Sequence, residues 1–132
     1  MPAEWMPHQR CFIAWPCHEG TFGASQSPQR KAAYAAYAEV AQAIAQFEPV
    51  TMLANPGQVA EASQICGAPI SVMPIPLTDS WTRDTGPSFL VDGNGGIAGV
   101  DWRFNAWGGN YPGHAEDAAL ARRLLSSLKI PR

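Results

Sequence analysis

Apolar positions in this chain come in short runs, separated by Gly, Pro and Ser. Residues 11–15 read Cys-Phe-Ile-Ala-Trp and stop at Pro16, which predicts a buried strand. Ser27-Pro28 is a helix start, with serine as N-cap and proline at the first helical position. From there Tyr37, Val40, Ala41, Ile44 and Phe47 recur at helical spacing. Arg30, Lys31, Glu39, Gln42 and Gln46 fall off that stripe, so an amphipathic helix of about five turns is expected, stopped by Pro49. Residues 50–54 (Val-Thr-Met-Leu-Ala) predict a second strand, and 58–66 a second helix with Gly67 as its stop. A third strand is expected at 70–75, where Pro74 and Pro76 imply a strand end or an edge. Residues 88–92 and 97–104 read as a hairpin about Gly93-Asn94-Gly95-Gly96, residue types that accept positive φ cheaply. A last helix is expected at 115–128, with Ala118, Ala121, Leu124, Leu125 and Leu128 on its apolar stripe. Glu116 and Asp117 at its start and Lys129 at its end suit the helix dipole.

Strand, helix, strand, helix, strand, hairpin, helix is an α/β order. Composition changes the picture in one respect. Leu, Ile, Val and Phe together number 25 of 132 residues, whereas alanine alone numbers 21. Alanine buries little area, at roughly 25 cal/mol per Å², so the five tryptophans compensate in part and the core is expected to be completed by a partner or a further stretch of chain. A strand is expected after the last helix, so the ending at Ile130-Pro131-Arg132 reads as a cut through a fold.

A net charge of −2 argues against nucleic acid as a partner. No apolar run approaches the ~20 residues of a membrane span. The opening residues lack the basic stretch and apolar run of a secretory leader, so a reducing, cytoplasmic setting is expected. Cys11, Cys17 and Cys66 are odd in number, and His8, Cys11, Cys17 and His18 fit no zinc spacing. No metal is expected.

Three segments carry candidate chemistry. Asp79-Ser80-Trp81-Thr82-Arg83-Asp84-Thr85-Gly86-Pro87 places two carboxylates, an Arg and a Trp in one loop. A carboxylate pairs with a guanidinium through charge-assisted hydrogen bonds, and an indole face stacks on the same cation. The plainer reading pairs Arg83 with an acid and puts Trp81 in a core. Asp101-Trp102-Arg103-Phe104-Asn105-Ala106-Trp107-Gly108-Gly109 is an aromatic segment whose glycines permit close backbone approach or a sharp turn. By itself it reads equally well as packing at the end of a hairpin. Near the start, residues 1–8 with Trp5 precede Phe12-Ile13-Ala14-Trp15-Pro16, where a Trp at the end of a strand lines a pocket or, more commonly, closes a core.

In this order and spacing, MPAEWMPH, IAWP, AIAQFEPVTML, DSWTRDTGP and GVDWRFNAWGG followed by NYP resemble the N-terminal portion of the agmatine deiminase family, which includes bacterial peptidyl-arginine deiminase-like proteins. Cys11-Phe12-Ile13 stands where an aromatic-methionine pair is more usual, and Cys17 is an unfamiliar residue there. The resemblance implies a pentein α/β-propeller of five ββαβ-type modules, with residues 1–132 supplying about the first two of an incomplete domain. It also implies attack of a cysteine thiolate on the guanidinium carbon of agmatine, loss of ammonia, and release of N-carbamoylputrescine by water, without metal or organic cofactor. Carried over by motif, Asp84 grips the guanidinium and Trp81 lies beside it, on one wall of a cleft. The family's nucleophilic cysteine, its histidine and its second acid belong to later motifs, so no catalytic residue is expected within this chain. The expected partner is a small guanidine, with a homo-oligomer as the full-length form. A peptidyl-arginine deiminase and a truncated, non-catalytic guanidine-binding module are the alternative readings.

Overall fold

A computed structural model describes residues 1–3 and 5–132; Glu4, part of the first motif, lies outside the described residues. The chain forms two compact units, residues 8–80 and residues 1–7 with 81–132.

In the unit of residues 8–80, β1 (Cys11–Ala14), β2 (Val50–Ala54) and β3 (Ser71–Pro74) form a parallel sheet in that order. Cys11 faces Val50 and Ala14 faces Leu53; Thr51 faces Ser71 and Ala54 faces Pro74. Every residue of central β2 is buried; four of the five are apolar, and the Thr51 hydroxyl is satisfied by Ser71 Oγ at 3.1 Å. The proline expectation holds twice, because β3 is an edge strand and Pro74 is its last residue. Beyond it, Asn55 acts in place of a neighbouring strand. Its side chain accepts from Leu77 N at 3.0 Å and donates to Leu77 O at 3.0 Å.

Helix α1 (Glu19–Phe22) is one turn; α2 (Pro28–Ile44) starts as the sequence predicts, with Ser27 Oγ accepting from Arg30 N at 3.1 Å. The rest of α2 agrees with expectation only in part: Ala41 of the expected stripe is buried and Ile44 packs partly against the core. The helix ends at Ile44, and its buried face is Arg30, Tyr34, Ala38 and Ala41. Val40 is exposed, and Phe47, in the turn after the helix, is 89% exposed. Small Ala38 and Ala41 bring the helix against the core strands, and Tyr34 fills the remaining volume by stacking on buried Trp15 at 4.4 Å. Arg30 is buried because its guanidinium reaches back to the Gly23 carbonyl, which satisfies a group too costly to bury unpaired. α3 (Val59–Cys66) follows a short 3-10 turn and ends at Gly67, whose φ of 64° suits glycine.

In the other unit, one-turn α4 (Thr82–Thr85) precedes an antiparallel hairpin of β4 (Ser88–Val91) and β5 (Ile97–Val100). Strand β5 stops four residues short of the predicted end at Phe104. The chain then turns through α5 (Ala106–Gly109) to α6 (Ala115–Ala118) and α7 (Leu120–Leu128). The predicted last helix is therefore broken at Ala119. Leu120, Ala121, Leu124 and Leu125 are buried. A side chain at Gly99 of β5 would place its Cβ 2.2 Å from Leu125 Cδ2 and 2.9 Å from its Cγ. Gly99→Ala is therefore expected to destabilise the fold by about 1–3 kcal/mol, measured by denaturant unfolding.

Asp92 organises the hairpin turn by accepting from Asn94 N at 2.7 Å and Gly96 N at 2.9 Å. These backbone donors hold its carboxyl below the ordinary carboxylate range. A lowered folded-state pKa gives stability that is present above the unfolded value and lost as pH falls through the folded one. The stability difference between the protein and Asp92→Asn, followed by unfolding across acid pH, should shrink below about pH 4.

Candidate functional site

The boundary between the two units falls inside the Asp79–Pro87 segment and separates its carboxylates. Asp79 and Ser80 belong to the unit of residues 8–80. Asp79 is 5% exposed, and both its oxygens are engaged: Oδ1 accepts from Ser80 N at 2.8 Å, and Oδ2 from Thr21 Oγ1 at 3.1 Å. His18 Nδ1 lies 3.6 Å from the same Oδ2, and Ser80 Oγ bonds Tyr37 OH at 2.9 Å. Buried Asp79 is thus tied into a polar network that reaches the surface at Thr21.

Trp81 and Asp84 lie at opposite ends of a single turn. Asp84 N and Thr85 N both donate to Trp81 O, at 3.1 and 3.0 Å, and Thr85 Oγ1 adds a third bond to that carbonyl at 2.8 Å. Trp81 is 46% exposed, and Asp84 and Arg83 are exposed beside it. Gly86 ends the turn where a Cβ would stand 2.6 Å from the Thr82 carbonyl oxygen. The turn therefore offers an indole and a carboxylate on one open shelf.

A third residue joins them. Trp107 Nε1 donates to Asp84 Oδ1 at 3.0 Å, and its ring meets Trp81 edge-to-face at 6.4 Å. Phe104 and Tyr111 flank the Trp107 ring at 5.2 and 5.8 Å, and His114 touches both of them at about 6 Å. The backbone here is unusual: Ala106, Trp107, Gly108 and Gly109 all have positive φ, at 55°, 52°, 89° and 83°. The left-handed region costs a non-glycine residue roughly 1–2 kcal/mol. Hydrogen bonds hold it: Gly109 N to Asn105 O, Asn110 N to Ala106 O, Gly108 N to Asn105 Oδ1 and Asn110 Nδ2 to Trp107 O. The sequence marked Trp107 only as one aromatic of an ambiguous segment. Its distance of 23 positions from Asp84 hides the pairing, and the Trp-Gly-Gly run is the signal that points to it.

Cys17 and its neighbour His18 face different partners. Cys17 Sγ donates to Thr78 O at 3.2 Å and Leu77 O at 3.7 Å, whereas adjacent His18 faces Thr21 and Asp79. Burial pushes the Cys11 and Cys66 thiols up, with Glu48 adding to the effect at Cys11. Among the described residues no three His, Cys, Asp or Glu side chains are grouped to hold a metal.

Residues 1–132 match the profile of the Porphyromonas-type peptidyl-arginine deiminases over their whole length. The chain belongs to this deiminase family. Among curated relatives, a Legionella pneumophila (strain Paris) protein with the provisional name agmatine deiminase is 51% identical over 95% of the chain and 36% of its own length. The agmatine deiminase of Stutzerimonas stutzeri is 44% identical over 95% of the chain and 34% of its own length. The solved structure of Enterococcus faecalis agmatine deiminase superimposes with a TM-score of 0.89 at 30% identity, over 99% of the chain and 36% of that protein. This deiminase-family chain thus spans about a third of the length of the relatives it matches.

The two carboxylates should respond differently to substitution. Asp79→Ala leaves the buried Ser80 amide without its acceptor and is expected to cost about 1–3 kcal/mol of stability. Asp84→Ala, at an exposed position, should stay within about 0.5 kcal/mol. Thermal unfolding of both variants checks the contrast.

Proposed function

We propose that the protein built on this chain is an agmatine deiminase, and that Asp84 and Trp81 bind the guanidinium of its substrate. The observation that carries this reading is the exposed turn presenting an indole and a carboxylate three positions apart, in a chain whose relatives include agmatine deiminases. Agmatine is a dication with one planar guanidinium. A carboxylate opposite that plane accepts two parallel hydrogen bonds and fixes the face open to attack. The stacked indole covers one face of the cation. In the proposed reaction a cysteine thiolate adds to the guanidinium carbon and ammonia leaves with a proton supplied by a histidine. Water then displaces sulfur to give N-carbamoylputrescine, a step toward putrescine. The thiolate, the histidine and the second acid would lie outside these residues, as would the surfaces that close the shelf into a cleft. No metal or organic cofactor is required. The complete form would be a cytoplasmic five-module propeller, assembled as a homo-oligomer.

The family's own name favours a second reading, with arginine inside a peptide as substrate. The two substrates share the guanidinium and differ at the far end.

The test is turnover by the full in-frame product of the gene encoding these residues. Ammonia release from agmatine should exceed that from peptidyl-arginine in kcat/KM, and the reverse order would install the second reading. Asp84→Asn should cost about 2–5 kcal/mol, or roughly 30- to several-thousand-fold in kcat/KM, because a desolvated charge partner is lost. Trp81→Ala should cost about 0.5–2 kcal/mol. The 132 residues alone should stay at background. Turnover by them that Cys17→Ser abolishes would overturn the placement of the nucleophile elsewhere.

A further inference from the structure

We infer that Trp107 is a positioning residue for guanidinium binding, holding the Asp84 carboxylate and the Trp81 indole in register. The inference rests on the reading of Asp84 as the guanidinium partner and adds a residue from a separate segment.

Three observations converge on Trp107. Its Nε1–H is a donor only, and it is spent on Asp84 Oδ1 at 3.0 Å. A carboxylate oxygen has two acceptor sites, so Oδ1 serves the indole and still has room for a guanidinium N–H. The bond removes the rotational freedom that a carboxylate on an exposed turn otherwise keeps, and a paired clamp needs a fixed carboxylate plane. Second, the Trp107 ring meets Trp81 at 79° between planes, so the same side chain braces both members of the shelf. Third, the backbone that delivers the indole is held in the left-handed region at Ala106 and Trp107, neither of which is glycine. Local strain that surrounding hydrogen bonds maintain is characteristic of functional segments. Here those bonds come from Asn105 and Asn110 on either side. Trp107 is itself 46% exposed, which is more than a purely core role requires.

The test uses the full in-frame product of the gene with its nucleophilic cysteine replaced, agmatine as the probe, and 15N NMR of the indole N–H groups. Asp84→Asn should move the Trp107 indole resonance while leaving that of buried Trp15 in place. Trp107→Phe, which keeps a ring and removes the donor, should weaken agmatine binding about five- to tenfold. The double variant should bind no more weakly than Asp84→Asn alone, because the two residues act through one carboxylate. If Asp84→Asn binds agmatine like the unaltered chain, the reading of Asp84 falls. If Asp84→Asn weakens binding but Trp107→Phe does not, or if the two effects add, the inference on Trp107 falls by itself. An unmoved indole resonance in Asp84→Asn overturns it as well, whether or not Trp107→Phe folds. Absence of a saturable shift in the unaltered chain overturns the inference and leaves the deiminase reading to the turnover assay.

Discussion

Small side chains set the backbone spacing under which both compact units pack. With 25 large aliphatic and phenylalanine residues against 21 alanines, the chain gains contact mainly by bringing elements close together. Ala38 and Ala41 bring α2 into the core beside Met52 of β2. The same closeness lets Trp15 and Tyr34 stack as the central filling of that unit. In the other unit Gly99 gives Leu125 the space that a methyl group would occupy. The large aromatics left over are then free to stand at the surface, where Trp81 and Trp107 are found.

Two carboxylates five positions apart have opposite surroundings. Asp79 is buried and has both oxygens engaged by protein donors. Asp84 stands on an exposed turn with an indole bonded to Oδ1. An acid committed to backbone and hydroxyl donors has little left for a ligand, whereas an acid at the surface keeps acceptor capacity. Under the deiminase reading, the chain separates the work of holding its loop from the work of holding a cation.

The α/β order, the Ser27 cap, the Gly67 stop and the hairpin turn are legible in the sequence, because each follows from local chemistry of a few residues. The face of α2 is legible only in part. Of the expected stripe Ala41 is buried and Ile44 packs partly against the core, whereas Val40 and Phe47 are exposed and Ala38, off that stripe, packs inward because the sheet demands closeness. Arg30 was misread for a related reason, since a charged side chain can be buried when a distant carbonyl meets it. The break at Ala119 and the early end of β5 had no local signal. At the candidate site, Trp81 and Asp84 could be read from one contiguous motif, and the structure sets them on one turn. Trp107 could not be read so, because a hydrogen bond across 23 positions belongs to tertiary geometry.

The left-handed run at Ala106–Gly109 has a consequence for how this chain can drift over generations. Position 106 is fully buried at positive φ, so a replacement there meets a volume limit and a torsional limit together. Asparagine and aspartate tolerate the torsion but bring polar bulk into a dry space, and β-branched residues fail on the torsion. Glycine passes both filters. Positions 108 and 109 have open space around a would-be Cβ, so torsion alone restrains them. The segment therefore has few neighbours in sequence space, and a mutational library spread evenly over it would consist mostly of chains that have lost the turn before any chemistry is tested.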